Sequence, residues 1–321
     1  MRKITATFLT LVLLIIPLSA CKVIVLPEIT KSYSVGDAII DSSVTSLIVD
    51  WSDGSINVIS SDTNRISIAE VSDSELTEKT SMSWWIEDKT LHISYVGKNI
   101  FTVKNLKKDL TITLPKDFIG KIIDLSSSAA DIHADLLSAD QVTLSTSSGD
   151  LDAAVTAKHL NFSSSSGKLR LVAEADEING SSSSGDIDLT QNGICEEVKL
   201  SSSSGKITTI LASVDKFDAS TSSGDVSTHA KTVGEINCST SSAEIGLTVT
   251  DTLKYADLES SSGNVSLHLP DCLDFNAEIE TNSGGFTSDF ALVTKHDHHI
   301  HGAGTAEIEI ETSSGNIEVI K

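Results

Sequence analysis

The sequence predicts an all-β protein, a single-stranded parallel β-solenoid (β-helix) of about ten short turns with an N-terminal β-hairpin cap. Two observations carry this. First, ten copies of one phrase run through the C-terminal two-thirds of the 321-residue chain: three small or hydroxyl-bearing residues, then Gly or Ala. The Gly/Ala positions run from Ala130 through Gly149, Gly167 and Gly185 to Gly284 and Gly315, with gaps of 19, 18, 18, 20, 19, 19, 20, 21 and 31 residues. A near-fixed period of this length means one stacked structural unit per repeat. Second, apolar residues recur in phase at seven and five positions before the Gly/Ala and two after it. Examples are Val198, Leu200 and Ile207 around Gly205. Period two on each side of the corner is strand periodicity.

Each repeat therefore reads as strand, corner, strand and a looser return. One such unit cannot bury its own apolar face. Stacked about 4.8 Å apart, ten units bury a continuous core and make a rod of about 50 Å. The residue three before the Gly/Ala is Ser or Thr in every copy and has inward parity, as in Thr146, Ser202 and Thr312. Stacked hydroxyls there are expected to bond one another and the corner backbone. Glycine is expected for its access to positive φ, although Ala130 and Ala243 stand at two corners. Just after the corner lies a mostly acidic column. Lys168 and Lys206 each stand between Asp neighbours and are expected to compensate charge between coils.

Upstream the repeat blurs. Residues 1–20 combine the basic start Arg2-Lys3 with an apolar run, and Leu18-Ser19-Ala20-Cys21 resembles a lipoprotein lipobox. The reading is a signal peptide over 1–20, lipidation at Cys21 and a membrane partner through that lipid. The apolar run is short for a transmembrane span. Lys22 after the Cys directs the protein to the outer membrane if the host has two. Residues 21–40 read as a tether and 41–125 as an N-terminal β cap with irregular turns. Residues 126–321 read as the regular solenoid. Within the cap, Trp84-Trp85-Ile86 and Leu91, Ile93, Tyr95 flank Asp88-Lys89 as a hairpin, and Leu110, Ile112 and Leu114 form a strand ended by Pro115. Gly54 precedes Ala130 by four periods of 19, as if this region held early coils enlarged by hairpins. The three Trp residues are expected to plug the cap.

Net charge is −22, and −24 once 1–20 is removed, since that stretch holds Arg2 and Lys3 and no carboxylate. Such a surface argues against nucleic acid as a partner and suits cationic ligands or plain solubility. Cys195, Cys238 and Cys272 are expected to stay free, because Cys195 and Cys272 lie four coils apart. The long last gap holds a His-rich insertion near 286–305. His296, His298, His299 and His301 are weak candidates for metal ligands, and a solvated loop is the favoured reading because no scaffold fixes their spacing. No metal, cofactor or catalytic residue is assigned. The last strand, Ile317 to Lys321, is expected to leave an open edge fit for end-to-end pairing.

Over residues 44 to 321 the chain resembles the bacterial putative adhesin family of extracytoplasmic Ser-Ser-Gly-Asp β-solenoids. The resemblance rests on Val49-Asp50-Trp51-Ser52-Asp53-Gly54, Leu110-Thr111-Ile112-Thr113-Leu114-Pro115, Thr146-Ser147-Ser148-Gly149-Asp150 and Thr312-Ser313-Ser314-Gly315-Asn316. It implies a cell-envelope location and supplies no catalytic residue. The expected function is a lipid-anchored, extracytoplasmic, non-catalytic adhesin or binding scaffold whose ligand is an envelope protein, a glycan or a cationic peptide. An envelope-stress regulatory or sensory lipoprotein is the alternative. A polysaccharide-active enzyme ranks third, because aromatics are only 4% of the chain and no nucleophile elbow or phosphate loop stands out.

Overall fold

The computed structural model describes residues 33–96, 106–296 and 298–321. Residues 1–20, read as a signal peptide, and Cys21 lie outside these residues. Among the described residues there is no helix, and 23 strands form one continuous sheet.

The middle of the chain follows the expected repeat. After β9 (Gly120–Ser127) come β10 (Asp131–Thr146), β11 (Leu151–Ser164), β12 (Leu169–Ser182), β13 (Ile187–Ser202), β14 (Ile207–Thr221), β15 (Val226–Thr240) and β16 (Ile245–Ser260), each parallel to the next. Ile187 pairs with Ile207 and Val198 with Phe217, so like columns stack directly and all four side chains are buried. The return segment is not looser, as the repeat had suggested. Each strand runs unbroken from one corner to the next, and length variation is absorbed by register shifts such as that between Gln191 and Ile194. Gln191 is buried beside this shift, where its Oε1 accepts the Ala212 N–H at 3.0 Å.

The corners correct two expectations. The inward hydroxyls, Ser182 apart, bond the backbone rather than one another. Thr146 Oγ1 accepts the Gly149 N–H at 3.0 Å and donates to the Ala130 carbonyl of the coil below at 3.4 Å, and Ser260 does the same with Gly263 and Ala243. The corner glycines from Gly149 to Gly315 also do not adopt positive φ, although Gly54, at the corner after Trp51-Ser52-Asp53, does, at 101°. Glycine is needed for close approach instead: a Cβ on Gly205 would lie 2.0 Å from the Gly185 carbonyl oxygen. The acidic column has a backbone role too. Asp131 Oδ1 accepts the Asp150 N–H and Asp150 Oδ1 accepts the Lys168 N–H, both at 2.8 Å. Lys168 pairs through Nζ with Asp188 at 2.7 Å, not with Asp150 or Asp186.

Both ends depart from simple sequential stacking. The N-terminal region holds β1 (Ser34–Val35), β2 (Ala38–Ile40), β3 (Ser46–Trp51), β4 (Gly54–Ser61), β5 (Ile66–Ser72), β6 (Ser83–Glu87), β7 (Thr90–Ser94) and β8 (Lys108–Pro115). Strands β3 and β4 form a coil directly against β9 and β10, so Gly54 lies one coil from Ala130, not four. Strands β7 and β8 form a further coil outside it. The region called a cap thus contributes two coils of its own. Antiparallel strands cover the outer one: β6 on β7, β5 on β8, then β1 on β6 and β2 on β5. The expected hairpin is β6–β7, turning at Asp88 and Lys89 with φ of 47° and 64°. Residues 34–40, read as tether, are part of this covering layer. Trp51 is a core plug as expected, whereas Trp84 and Trp85 are only half-buried.

The C-terminal region holds β17 (Val265–His268), β18 (Phe275–Thr281), β19 (Phe286–Ser288), β20 (Val293–Lys295), β21 (His298–His301), β22 (Ala306–Thr312) and β23 (Ile317–Ile320). The last coil in the chain is not the last in space. Strand β22 lies between β16 and β18, and β23 lies between β17 and β19, parallel on both sides. The expected open edge at Ile317–Lys321 is therefore internal, and end-to-end pairing through it is ruled out. The His-rich insertion is not a loop but the hairpin β20–β21, whose β21 pairs antiparallel with β18. The strands left with one partner, β1, β2, β19 and β20, are two or three residues long. Short edges limit pairing with other chains.

Candidate functional site

The outward face of the strands preceding each corner carries two parallel ladders. One holds Thr143, Asn161, Asn179, Lys199, Asp218, Asn237 and Asp257, the other Ser145, Ser163, Ser181, Ser201, Ser220, Ser239 and Glu259. Serine is short, so a groove opens between the ladders and runs across the strands. Two adjoining cavities, of 490 and 220 Å³, share Asp218 and Ser220 and extend it from Thr143 to Glu259. Every strand under the groove is hydrogen-bonded on both sides. Ligand contact there falls to side chains rather than to free backbone groups.

The groove changes character along its length. Its first half is neutral at Thr143, Asn161 and Asn179, and the Lys199 ammonium is held by Glu197 at 2.5 Å. Its far end is acidic. Asp257, Glu309 and Glu278 form one row across β16, β22 and β18, and Glu259, Glu311 and Glu280 form the next. The first row continues onto the hairpin as His298 and then Lys295, so the hairpin adds a cationic end to a line of carboxylates. Tyr255 stands half-exposed beside Asp257, and burial together with Glu309 and Asp257 pushes its phenol up to about 12.

Burial, followed by Glu259, Glu309 and Glu311, raises the Asp257 carboxyl above the usual Asp range. A raised folded-state value means that the native protein holds the proton more tightly than the unfolded chain. The charged form is then a cost, present above the raised value and relieved as pH falls through it toward the ordinary value of about 3.9. Stability of the C-terminal coils is expected to fall as pH rises through this window. Asp257→Asn is expected to flatten that slope, read by amide exchange over 255–260. An unchanged slope in the variant would contradict the assignment.

The histidines do not converge. His301 packs against Phe275 and Phe290, with ring centroids 5.6 and 4.9 Å away, and His299 against Phe286 at 4.5 Å. His296 is exposed at the hairpin turn with φ 56°. The alternation of β21 sends His298 to the face opposite His299 and His301. Among the described residues no group of three or more His, Cys, Asp or Glu is arranged to hold a metal ion. Cys195, Cys238 and Cys272 are free. Burial raises the Cys195 thiol to about 11 and raises the Cys238 thiol further, which suits inert core residues.

One buried polar cluster escaped the sequence reading. Lys108 occupies the corner position of the outermost N-terminal coil, and its side chain turns into the end of the core. Its Nζ lies 2.7 Å from Glu70 Oε2, donates to the Thr80 and Tyr95 carbonyls, and sits over the Trp51 and Tyr95 rings. Glu70 Oε1 accepts the Met82 N–H at 2.7 Å. Burial lowers the Lys108 ammonium, and Glu70 pulls it back up through a hydrogen bond and its charge. The cluster is closed to solvent, which suits a structural lock rather than chemistry.

These features define a parallel β-solenoid with repeating polar ladders on its outer faces. The chain belongs to the Toastrack DUF4097 family, whose model matches residues 44–320. This agrees with the resemblance carried by the corner motifs. No curated protein matches the sequence. Similar solved structures include putative adhesins from Parabacteroides merdae and Parabacteroides distasonis. The first is 15% identical, with 91% of this chain and 98% of that one covered and a TM-score of 0.46. The second is 13% identical, with 90% and 98% covered and a TM-score of 0.45. A putative lipid binding protein from Parabacteroides distasonis is 14% identical, with 91% and 98% covered and a TM-score of 0.43.

Proposed function

We propose that this chain is a non-catalytic binding scaffold of the bacterial cell envelope, extracytoplasmic and lipid-anchored through Cys21, that acts in adhesion. The observation that carries this reading is the groove between the two ladders, which crosses seven successive coils and places a polar side chain on each wall at every one. A surface built by repetition suits an extended partner better than a small substrate. The export-type start and the Leu18-Ser19-Ala20-Cys21 sequence support the anchor and the location. The test is deletion of the gene and complementation with wild type or Cys21→Ala. Wild type is expected to restore attachment, and Cys21→Ala to move the protein from the membrane fraction to the soluble one. Unchanged attachment on deletion would remove the adhesive reading.

The acidic rows favour a second reading, an envelope-stress sensor that meets cationic peptides. Salt-sensitive peptide binding, joined with altered peptide resistance but normal attachment on deletion, would select it.

A further inference from the structure

We propose that the groove binds a linear glycan carrying free amino groups, with its hydroxyls between the serine and asparagine walls and its ammonium groups at Asp257, Glu259 and Glu309. This rests on the scaffold reading above and names its ligand class. Three features of the groove lead here.

The first is period. The walls offer one polar side chain per coil, and neighbouring strands lie about 4.8 Å apart; a β-linked pyranose chain flips each ring relative to the last, so its same-side groups return after two rings, close to the spacing of two coils. An extended peptide presents same-side groups about 6.6–6.8 Å apart and drifts out of phase with the walls. It also finds no strand edge to join, because the floor is already paired.

The second is the neutral half. Ser163, Ser181 and Ser201 face Asn161 and Asn179 across the groove. Hydroxyls and carboxamides both donate and accept, as sugar hydroxyls do. A peptide rich in Lys would gain nothing there. The aromatic residue lining this half, Phe162, is only 3% exposed in the floor and offers no free ring face for stacking, so each sugar contributes little and affinity must grow with chain length.

The third is charge. At the far end Asp257 and Glu259 have Glu309 and Glu311 as cross-strand neighbours, and the Tyr255 ring stands beside them. Carboxylates next to an aromatic face suit an ammonium group. The raised Asp257 carboxyl agrees with this, since an arriving cation would relieve its charged form.

The test is calorimetric titration of the purified protein, in mildly acidic buffer of low ionic strength, with β-1,4-linked glucosamine hexamer, its fully N-acetylated counterpart and hexalysine. The glucosamine hexamer is expected to bind. Its affinity should fall about tenfold or more, a change of about 1.4 kcal/mol, both in Asp257→Asn/Glu259→Gln and in Ser201→Trp. Hexalysine should respond to the first variant only. Ser163→Trp serves as a second block should Ser201→Trp fail to fold. No binding of the glucosamine hexamer, equal binding of the N-acetylated form, or indifference to both tryptophan blocks overturns the proposal. So does hexalysine binding that the tryptophan blocks weaken equally. Attachment that persists in cells while glucosamine binding is absent sinks the groove assignment alone. Release of new reducing ends from the hexamer would instead sink the non-catalytic reading.

Discussion

A chain that ends at Gly304 is expected to lose its C-terminal coils as a unit. That truncation removes β22 and β23, the strands lying between β16–β17 and β18–β19. Buried Ile308, Ile310, Ile317 and Val319 go with them, opening the core beside Leu258 and Val265. Among the described residues no other strand pairing joins β16 and β17 to β18 and β19, so residues 275–301 have no stack to cover. Amide protection there should fall by about 10³-fold or more, equivalent to about 4 kcal/mol. The coils up to Gly224 should keep theirs, since repeat arrays are stabilised through nearest neighbours. The long bare edge of β16 should also make the product associate with itself. Normal protection over 275–281 in a monomeric truncated protein would contradict the threaded order.

Glu70→Ala is expected to cost about 3–5 kcal/mol of unfolding free energy, because it strands the Lys108 ammonium in the core with one carboxylate fewer. The side chains of the pair are 0% and 2% exposed, so water cannot replace the lost partner. The Met82 N–H also loses its acceptor. Glu70→Gln keeps an acceptor for that N–H and should cost less than Glu70→Ala, though the charge is still lost. Urea denaturation gives the comparison: a lower midpoint at unchanged slope is the expected signature. A cost for Glu70→Ala below about 1 kcal/mol, the range of an exposed pair, would show that the cluster is solvated.

The regular coils were legible because their columns overdetermine them. Val198, Leu200 and Ile207 recur in phase with Phe217, Ala219 and Val226, and no other arrangement buries all of them. The order of the end coils was not legible for the same reason. Ile317 and Phe286 fit the same column, and column membership does not say which of two coils lies outermost. The even spacing of Gly54 from Ala130 was a coincidence of chain length; the residues between them build an outer coil and its covering strands. Nothing in the run Leu106-Lys107-Lys108-Asp109 marks Lys108 as buried. Only the fold brings it to Glu70, 38 positions away. The groove was hidden in plain polar residues. Its one sequence signal is the ladder that is Ser from Ser126 to Ser239 and turns to Glu at Glu259, Glu311 and Glu280. The His-rich stretch misled because composition resembles a loop, whereas His299 and His301 alternate with Ile300 as a strand against Phe286, Phe275 and Phe290.

The clasped final strand has a mechanical consequence. Tension on Lys321 along β23 cannot peel that strand away one bond at a time, because parallel ladders to β17 and β19 flank it on both sides. The load is shared by two rows of bonds that must yield together, in shear. A chain pulled from that terminus would hold until the whole clasp slipped, whereas force on the two- and three-residue strands at the opposite end would unzip them in sequence.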